Sequence, residues 1–181
     1  MPARYRAAVV SRRAHGRATE LVLEVPEDFR AVPGQFVHAH CGSEEGRVMR
    51  RPYSVFDLRE GELSLLVVAV GPGSAWLAGR EEGECVDLLG PLGRGFEVPR
   101  KGTFALLAGG TGVAPLRFLL RRLRETGAEA ALYWGMERGD DFGELPALLR
   151  EQEGGKLCSR DGCLGFKGDV LELFTSREGE G

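Results

Sequence analysis

Lysine is scarce in this chain: of 24 basic residues among 181, only Lys101, Lys156 and Lys167 are not arginine. Genomic composition and thermal adaptation both produce such a bias, and the sequence does not separate them. A positive surplus is missing as well, since the net charge is -3, and this argues against nucleic-acid binding, which needs a clustered cationic face. Long apolar runs are also absent. The longest, LSLLVVAV at 63–70, is far too short to cross a bilayer. The N-terminal MPARYRAAVVSRRAHGR lacks the extended apolar core of a signal peptide, so a cytoplasmic location is expected. Cysteine is sparse: Cys41, Cys85, Cys158 and Cys163 are too few and too scattered for a disulfide scaffold, and reduced thiols are the expectation.

What the chain has instead is glycine, 27 of 181 residues, roughly twice average usage. It is concentrated in GPGS, GPLGRGF, LAGGTGV and CLGFKG rather than spread as low complexity. A hydrophobic share of 43% and a charged share of 28% are ordinary for a folded globular chain.

Up to about residue 98 the sequence reads as short strands separated by turns: YRAAVVSRR, TELVLEV, GQFVHAHC, RPYSVFD, ELSLLVVAV and CVDLLGP. Leu21, Leu23 and Val25 alternate with other residues, as do Leu63, Leu65 and Val67, which is the period of a half-buried strand. Six such strands predict an antiparallel Greek-key β-barrel over residues 1–98, with one short helix at GSAWLAGREEGE. After Pro99 the rhythm becomes strand-loop-helix. TFALLAGG, AEAALYWGM and KLCSR read as strands, and VAPLRFLLRRLRETG, FGELPALLREQ and GDVLELF as helices. In the first of these helices Leu116, Leu119, Leu120 and Leu123 fall at i, i+3, i+4 and i+7. Such alternation predicts an α/β domain with a parallel sheet over residues 99–181.

Three stretches could carry chemistry. In LLAGGTGVAPL, residues 106–116, a buried strand runs through glycines into a helix start, which aims bare N–H groups and the positive helix end at one place. Tight packing explains such a turn as well. In GPGS, Gly71 and Gly73 permit a tight turn and Ser74 offers a hydroxyl beside the first helical N–H groups; a plain helix cap accounts for Ser74 equally. In RPYS, Arg51 provides a planar fork suited to phosphate, Pro52 removes a backbone donor as on an open strand edge, and Tyr53 and Ser54 point to opposite faces.

Taken in order, PGQFV, RPYS, GPGS, GPLGRGF and AGGTGVAPL resemble the ferredoxin-reductase-like flavoprotein superfamily, in which an FAD-binding barrel precedes a nicotinamide-nucleotide-binding α/β domain. CSRDGCLGFKGDV is similar to a segment of dihydroorotate dehydrogenase electron transfer subunits and of related hydrogenase and transhydrogenase subunits. The resemblance implies that Arg51, with Pro52 beside it, pairs with an FAD phosphate, that Tyr53 lies against the isoalloxazine, and that Ser54 hydrogen-bonds its polar edge. It implies that Gly73 and Ser74, with Gly71 beside them, hold the pyrophosphate through backbone N–H groups. Gly109, Gly110, Thr111 and Gly112 would serve NADH or NADPH, so that hydride passes to the flavin; the lone Arg138 does not choose between the two. No catalytic side chain is singled out.

The function implied is an FAD-dependent electron-transfer subunit that feeds a catalytic partner, a dihydroorotate dehydrogenase in pyrimidine biosynthesis. A stand-alone NAD(P)H-dependent flavin or ferredoxin reductase and a non-catalytic flavin-binding or assembly module are the alternatives. Family members continue into a further strand and a cysteine cluster for a 2Fe-2S centre, so the second domain is expected to be shortened. Cys158 and Cys163 have C-x4-C spacing but no accompanying C-x2-C, and no iron-sulfur cluster is expected from this chain's own cysteines. His38 and His40, lacking a third ligand, read as strand residues, and ERGDD at 137–141 as a solvated loop.

Overall fold

The computed structural model describes residues 2–42 and 49–178. They form two compact units, the first holding the chain through Ala14 together with Ala18–Phe96, the second holding His15–Arg17 and the chain from Glu97 onward.

The first unit is a closed antiparallel barrel of β1 (Ala3–His15), β2 (Ala18–Glu24), β3 (Phe36–His40), β4 (Arg50–Arg59), β5 (Glu62–Val68) and β6 (Cys85–Leu92), in the order β1-β2-β5-β4-β3-β6. Strand alternation builds its interior. Leu21 and Leu23 stand opposite Leu65 and Leu63, and all four are fully buried; each contributes roughly 1.5–3 kcal/mol of apolar burial. The remaining apolar residues of β5 are not surplus. Helix α1 (Pro72–Ala78) packs on β5 and β2, so β5 is covered on both sides and reads as a nearly continuous apolar run.

On the outer barrel surface, Arg4 of β1 and Arg50 of β4 converge on the Asp87 carboxylate of β6. Burial alone would push this carboxyl up, but hydrogen bonds and charge from the two guanidinium groups outweigh it and hold Asp87 below the usual carboxylate range. A depressed folded-state value adds stability that is complete above the unfolded value of about 3.9 and disappears as pH falls through the folded one. Asp87→Asn is therefore expected to flatten the fall in Tm between about pH 5 and about pH 2. Thermal unfolding across that range checks it; an acid limb identical to the parent's would show that Asp87 does not contribute.

The second unit is a parallel sheet in the order β10-β9-β8-β7, made of β7 (Thr103–Gly109), β8 (Glu129–Met136), β9 (Lys156–Ser159) and the two-residue β10 (Phe166–Lys167). A single 3-10 turn, Gly110–Gly112, joins β7 to α2 (Val113–Glu125). Leu119, Leu120 and Leu123 of α2 are buried as their spacing requires, and Leu116 is half-buried. Helices α3 (Leu145–Glu153) and α4 (Val170–Glu178) follow β8 and β10. Asp169 caps α4, its Oδ1 accepting the N–H groups of Leu171 and Glu172 at 2.9 and 3.0 Å, while Glu172 reaches back to the Asp169 N–H; this reciprocal pair is a capping box. The turn 15–17 is fitted tightly into this unit. Gly16 has φ 58°, and a Cβ there would lie 2.6 Å from the Asp141 carbonyl oxygen.

Candidate functional site

Each unit carries a candidate cavity among its described residues. The first, of about 380 Å³, is walled by Arg51, Pro52 and Tyr53 on one side and by Gly71, Pro72, Gly73 and Ser74 on the other, with Val68 and Val70 between. Residues 50–54 of β4 pair with β3, whereas the ladder to β5 begins at Val55. Pro52 therefore sits where the strand has an open side, which is where a missing donor is tolerated. Arg51 and Tyr53 share a face by the two-residue period; Ser54 stands on the other, opposite Phe36, and does not line the cavity.

The wall is set by local contacts. Cys41, buried directly beneath, places its sulfur 3.9 Å from the Tyr53 hydroxyl. Burial, and then the neighbouring Cys41, push the Tyr53 phenol up, keeping it neutral; burial likewise raises the Cys41 thiol, partly offset by the Tyr53 hydroxyl and Arg51. A Cβ on Gly73 would sit 3.3 Å from the Cys41 Cβ and 3.8 Å from the Arg51 Nε. Bare backbone there keeps the α1 start close to the guanidinium. Among the described residues no carboxylate pairs with Arg51. Val70 is 83% exposed, so the cavity presents apolar surface next to the Arg51 guanidinium.

Ser74 differs from the expectation of a hydroxyl offered to phosphate. Gly71 is the N-cap and Ser74 is the third helical residue. Its Oγ accepts the N–H groups of Val70 and Gly71 and donates to the Gly71 carbonyl, each at 3.0 Å. That hydroxyl is engaged in closing the turn; what Ser74 can offer is its backbone N–H, which an α-helix leaves without an internal acceptor in its first turn.

The second cavity, of about 440 Å³, opens at the carboxyl ends of β7 and β8, where Gly109, Gly110, Thr111, Gly135 and Met136 meet Phe142 and Val170. Ligands of open α/β sheets bind outside the carboxyl ends of the strands. Gly112 lies outside the lining, as N-cap of α2. A Cβ at Gly109, Gly110 or Gly112 would find no atom within 4 Å. Packing inside the protein therefore does not explain these three glycines.

Five charged residues line the same cavity: Arg17, Glu137, Asp141, Arg160 and Asp169. Arg17 faces Asp141 at 3.7 Å, and Arg160 lies between Glu137 at 3.4 Å and Asp169 at 3.9 Å. The 137–141 segment is therefore not simply a solvated loop: Arg138 pairs outward with Asp140, while Glu137 and Asp141 turn to the cavity. Asp161 ties that segment to the β9–β10 loop, both of its oxygens accepting the Gly139 N–H at 3.2 and 3.0 Å and Oδ1 also the Cys163 N–H at 3.1 Å. The Ser159 hydroxyl, then these N–H groups, hold Asp161 far below the ordinary carboxylate range. Sequence reading had no access to Arg17, Arg160 or Asp169 as cavity residues, or to Cys41 beside Tyr53, because their partners lie elsewhere in the chain.

Among the described residues no three His, Cys, Asp or Glu side chains gather where a metal could be held. Cys158 is buried and Cys163 exposed, and the His38 ring packs on Phe36 with centroids 5.4 Å apart. No helix among the described residues is long and apolar enough to cross a membrane.

No protein-family model matches the chain. It is 38% identical over 147 residues, 80% of its length, to the dihydroorotate dehydrogenase B (NAD(+)) electron transfer subunit of Desulforamulus reducens, of which it covers 56%. It is 33% identical over 190 residues, 98% of its length, to the same subunit of Bacillus caldolyticus, of which it covers 71%. Thus the chain spans between 56% and 71% of these relatives' lengths. Among solved structures, a chain from the structure of an NADH-dependent reduced ferredoxin-NADP oxidoreductase, described for flavin-based electron bifurcation, superposes with a TM-score of 0.82 at 26% identity, covering 97% of this chain and 64% of that one.

Proposed function

This chain belongs to the family of dihydroorotate dehydrogenase B electron transfer subunits, and from that premise we propose that it is an FAD-dependent oxidoreductase subunit, taking electrons from NADH and delivering them to a dihydroorotate dehydrogenase-like catalytic chain. The observation that carries this reading is the first cavity: a guanidinium that pairs with no carboxylate among the described residues, a neutral aromatic ring on the same strand face, and a glycine turn of bare backbone opposite both.

The donor set fits a flavin nucleotide. Arg51 supplies a fork for phosphate oxygens, and the backbone N–H groups of Gly73 and Ser74 add neutral donors beside it. Tyr53 and Val70 offer the apolar surface that a flat ring system requires, and the Cys41 sulfur lies 3.9 Å from the Tyr53 hydroxyl. When bound, FAD supplies the chemistry that couples a two-electron donor to an electron-carrying partner. Ser54, on the far strand face, is left with a role only where the ligand reaches around the strand edge.

In the second unit, Gly109, Gly110 and Thr111 present backbone to a dinucleotide's phosphates at the end of β7. Arg17 and Arg160 add positive charge to that wall and are held in place by Asp141, Glu137 and Asp169.

The test is an anaerobic absorbance spectrum of the FAD-loaded chain before and after NADH. Bleaching of the bound-flavin band is expected. A yellow complex that NADH leaves unbleached would refute electron uptake by this chain alone, and failure to bind FAD at all would remove the Arg51–Tyr53 assignment. Copurification with a second subunit then separates an electron-transfer subunit from a stand-alone reductase.

A further inference from the structure

We propose that Trp134 is a positioning residue for the dinucleotide, acting through the Gly110–Thr111 peptide; this rests on reading the second cavity as the NADH site. Trp134 lies on β8, is fully buried, and is absent from the cavity lining. Its indole Nε1–H donates to the Gly110 carbonyl oxygen at 2.8 Å, across 24 positions of chain. The ring is held in turn by Phe142, a lining residue, with centroids 5.0 Å apart and planes inclined at 56°.

What this contact controls is the sign of the electrostatic surface shown to an anion. Gly110 has φ 50°, a conformation in which glycine rotates at little cost, and no neighbouring atom restrains it from its open side. The Gly110–Thr111 peptide bond is trans, so its C=O and N–H point in opposite directions. With the carbonyl claimed by Trp134, and also by the Val113 N–H of the helix start, the Thr111 N–H of this peptide is held opposite to that contact, at a turn whose Gly110 and Thr111 both line the cavity. Turning that plane over would replace a donor by a carbonyl oxygen and repel a phosphate. A part-buried hydrogen bond from a fully buried indole is suited to prevent it. The indole thereby selects one of two peptide orientations, and does so without contacting the nucleotide.

The experiment is calorimetric titration of the FAD-loaded full chain with NAD+, the oxidised form, so that no turnover occurs. Two variants are compared with the parent: Trp134→Phe, and replacement of Trp134 by the benzothienyl analogue of tryptophan, which keeps the bicyclic shape and removes the N–H. About a tenfold rise in Kd is expected in both, with FAD affinity unchanged and with kcat for flavin reduction at saturating NADH retained while KM rises. A purely packing role would lower Tm in Trp134→Phe and leave the isostere's Kd at the parent value, which would overturn the proposal. Should Trp134→Phe fail to fold, the isostere alone decides. If the parent itself does not bind NAD+, the dinucleotide assignment of the cavity fails, and this inference with it; if the parent binds and the isostere binds equally, only the role of Trp134 is lost.

Discussion

Replacing Gly110 with valine is expected to reduce the rate of flavin reduction by NADH about 100-fold while leaving FAD retention unchanged. The two halves of that outcome have separate causes. At φ 50° a β-branched residue is strained, by roughly 1–3 kcal/mol, and the chain will relieve part of that by rotating the neighbouring peptides. Beyond its chain neighbours, no described protein atom lies within 4 Å of the new Cβ, so the first carbon of the substituent meets open space. It enters the space beside the cavity wall, where a phosphate would have to approach bare backbone. Gly110→Ala separates the contributions, since alanine tolerates the left-handed region better and extends by one carbon; an intermediate loss of about tenfold is expected. Stopped-flow reduction under anaerobic conditions reads the rate, and FAD fluorescence in the filtrate reads retention. Parent-like reduction in Gly110→Val would remove the glycine turn from the dinucleotide site.

Arg51→Ala is expected to weaken FAD binding by about 10- to 100-fold, the equivalent of losing a charge-assisted hydrogen bond of roughly 1.5–3 kcal/mol. The lower end applies if solvent screens the contact, because Arg51 is exposed on the strand. Folding should be little affected, since no carboxylate among the described residues is left without its partner. Arg51→Lys is the informative control: it keeps the charge but not the planar fork, and partial recovery is expected. Titration of apoprotein with FAD, followed by flavin fluorescence quenching, measures all three. Equal affinity in the alanine variant would mean that the guanidinium does not reach phosphate.

How much of this was readable beforehand follows from the range of each interaction. Leu21, Leu23 and Val25, and Leu63, Leu65 and Val67, declared their barrel faces by alternation, and each is at most 4% exposed. The helical period of Leu119, Leu120 and Leu123 was equally plain, because burial on one helix face is a local pattern. The two-residue β10 was invisible: Phe166–Lys167 is shorter than any period and exists because β9 offers it a pairing edge. Ser74 was placed at the right helix; that its hydroxyl, at the third helical position, closes the turn onto the Val70 and Gly71 N–H groups depends on where the helix begins, which the sequence does not mark. Of the candidate site, the glycines and RPYS stood out by composition. Trp134 did not, because a tryptophan inside AEAALYWGM reads as core, and nothing local marks an N–H bond to a carbonyl in a separate loop. Arg160 and Asp169 meet only when β9, β10 and α4 are assembled.

The cysteines have a consequence for watching this molecule come apart. Each unit contains one protected thiol and one accessible one: Cys41 and Cys85 in the barrel, Cys158 and Cys163 in the α/β unit. The exposed pair reacts with a thiol reagent at once, whereas Cys41 and Cys158 react only when their own surroundings open. Labelling rates resolved by peptide would therefore time the opening of barrel and sheet independently, with no foreign probe introduced into either.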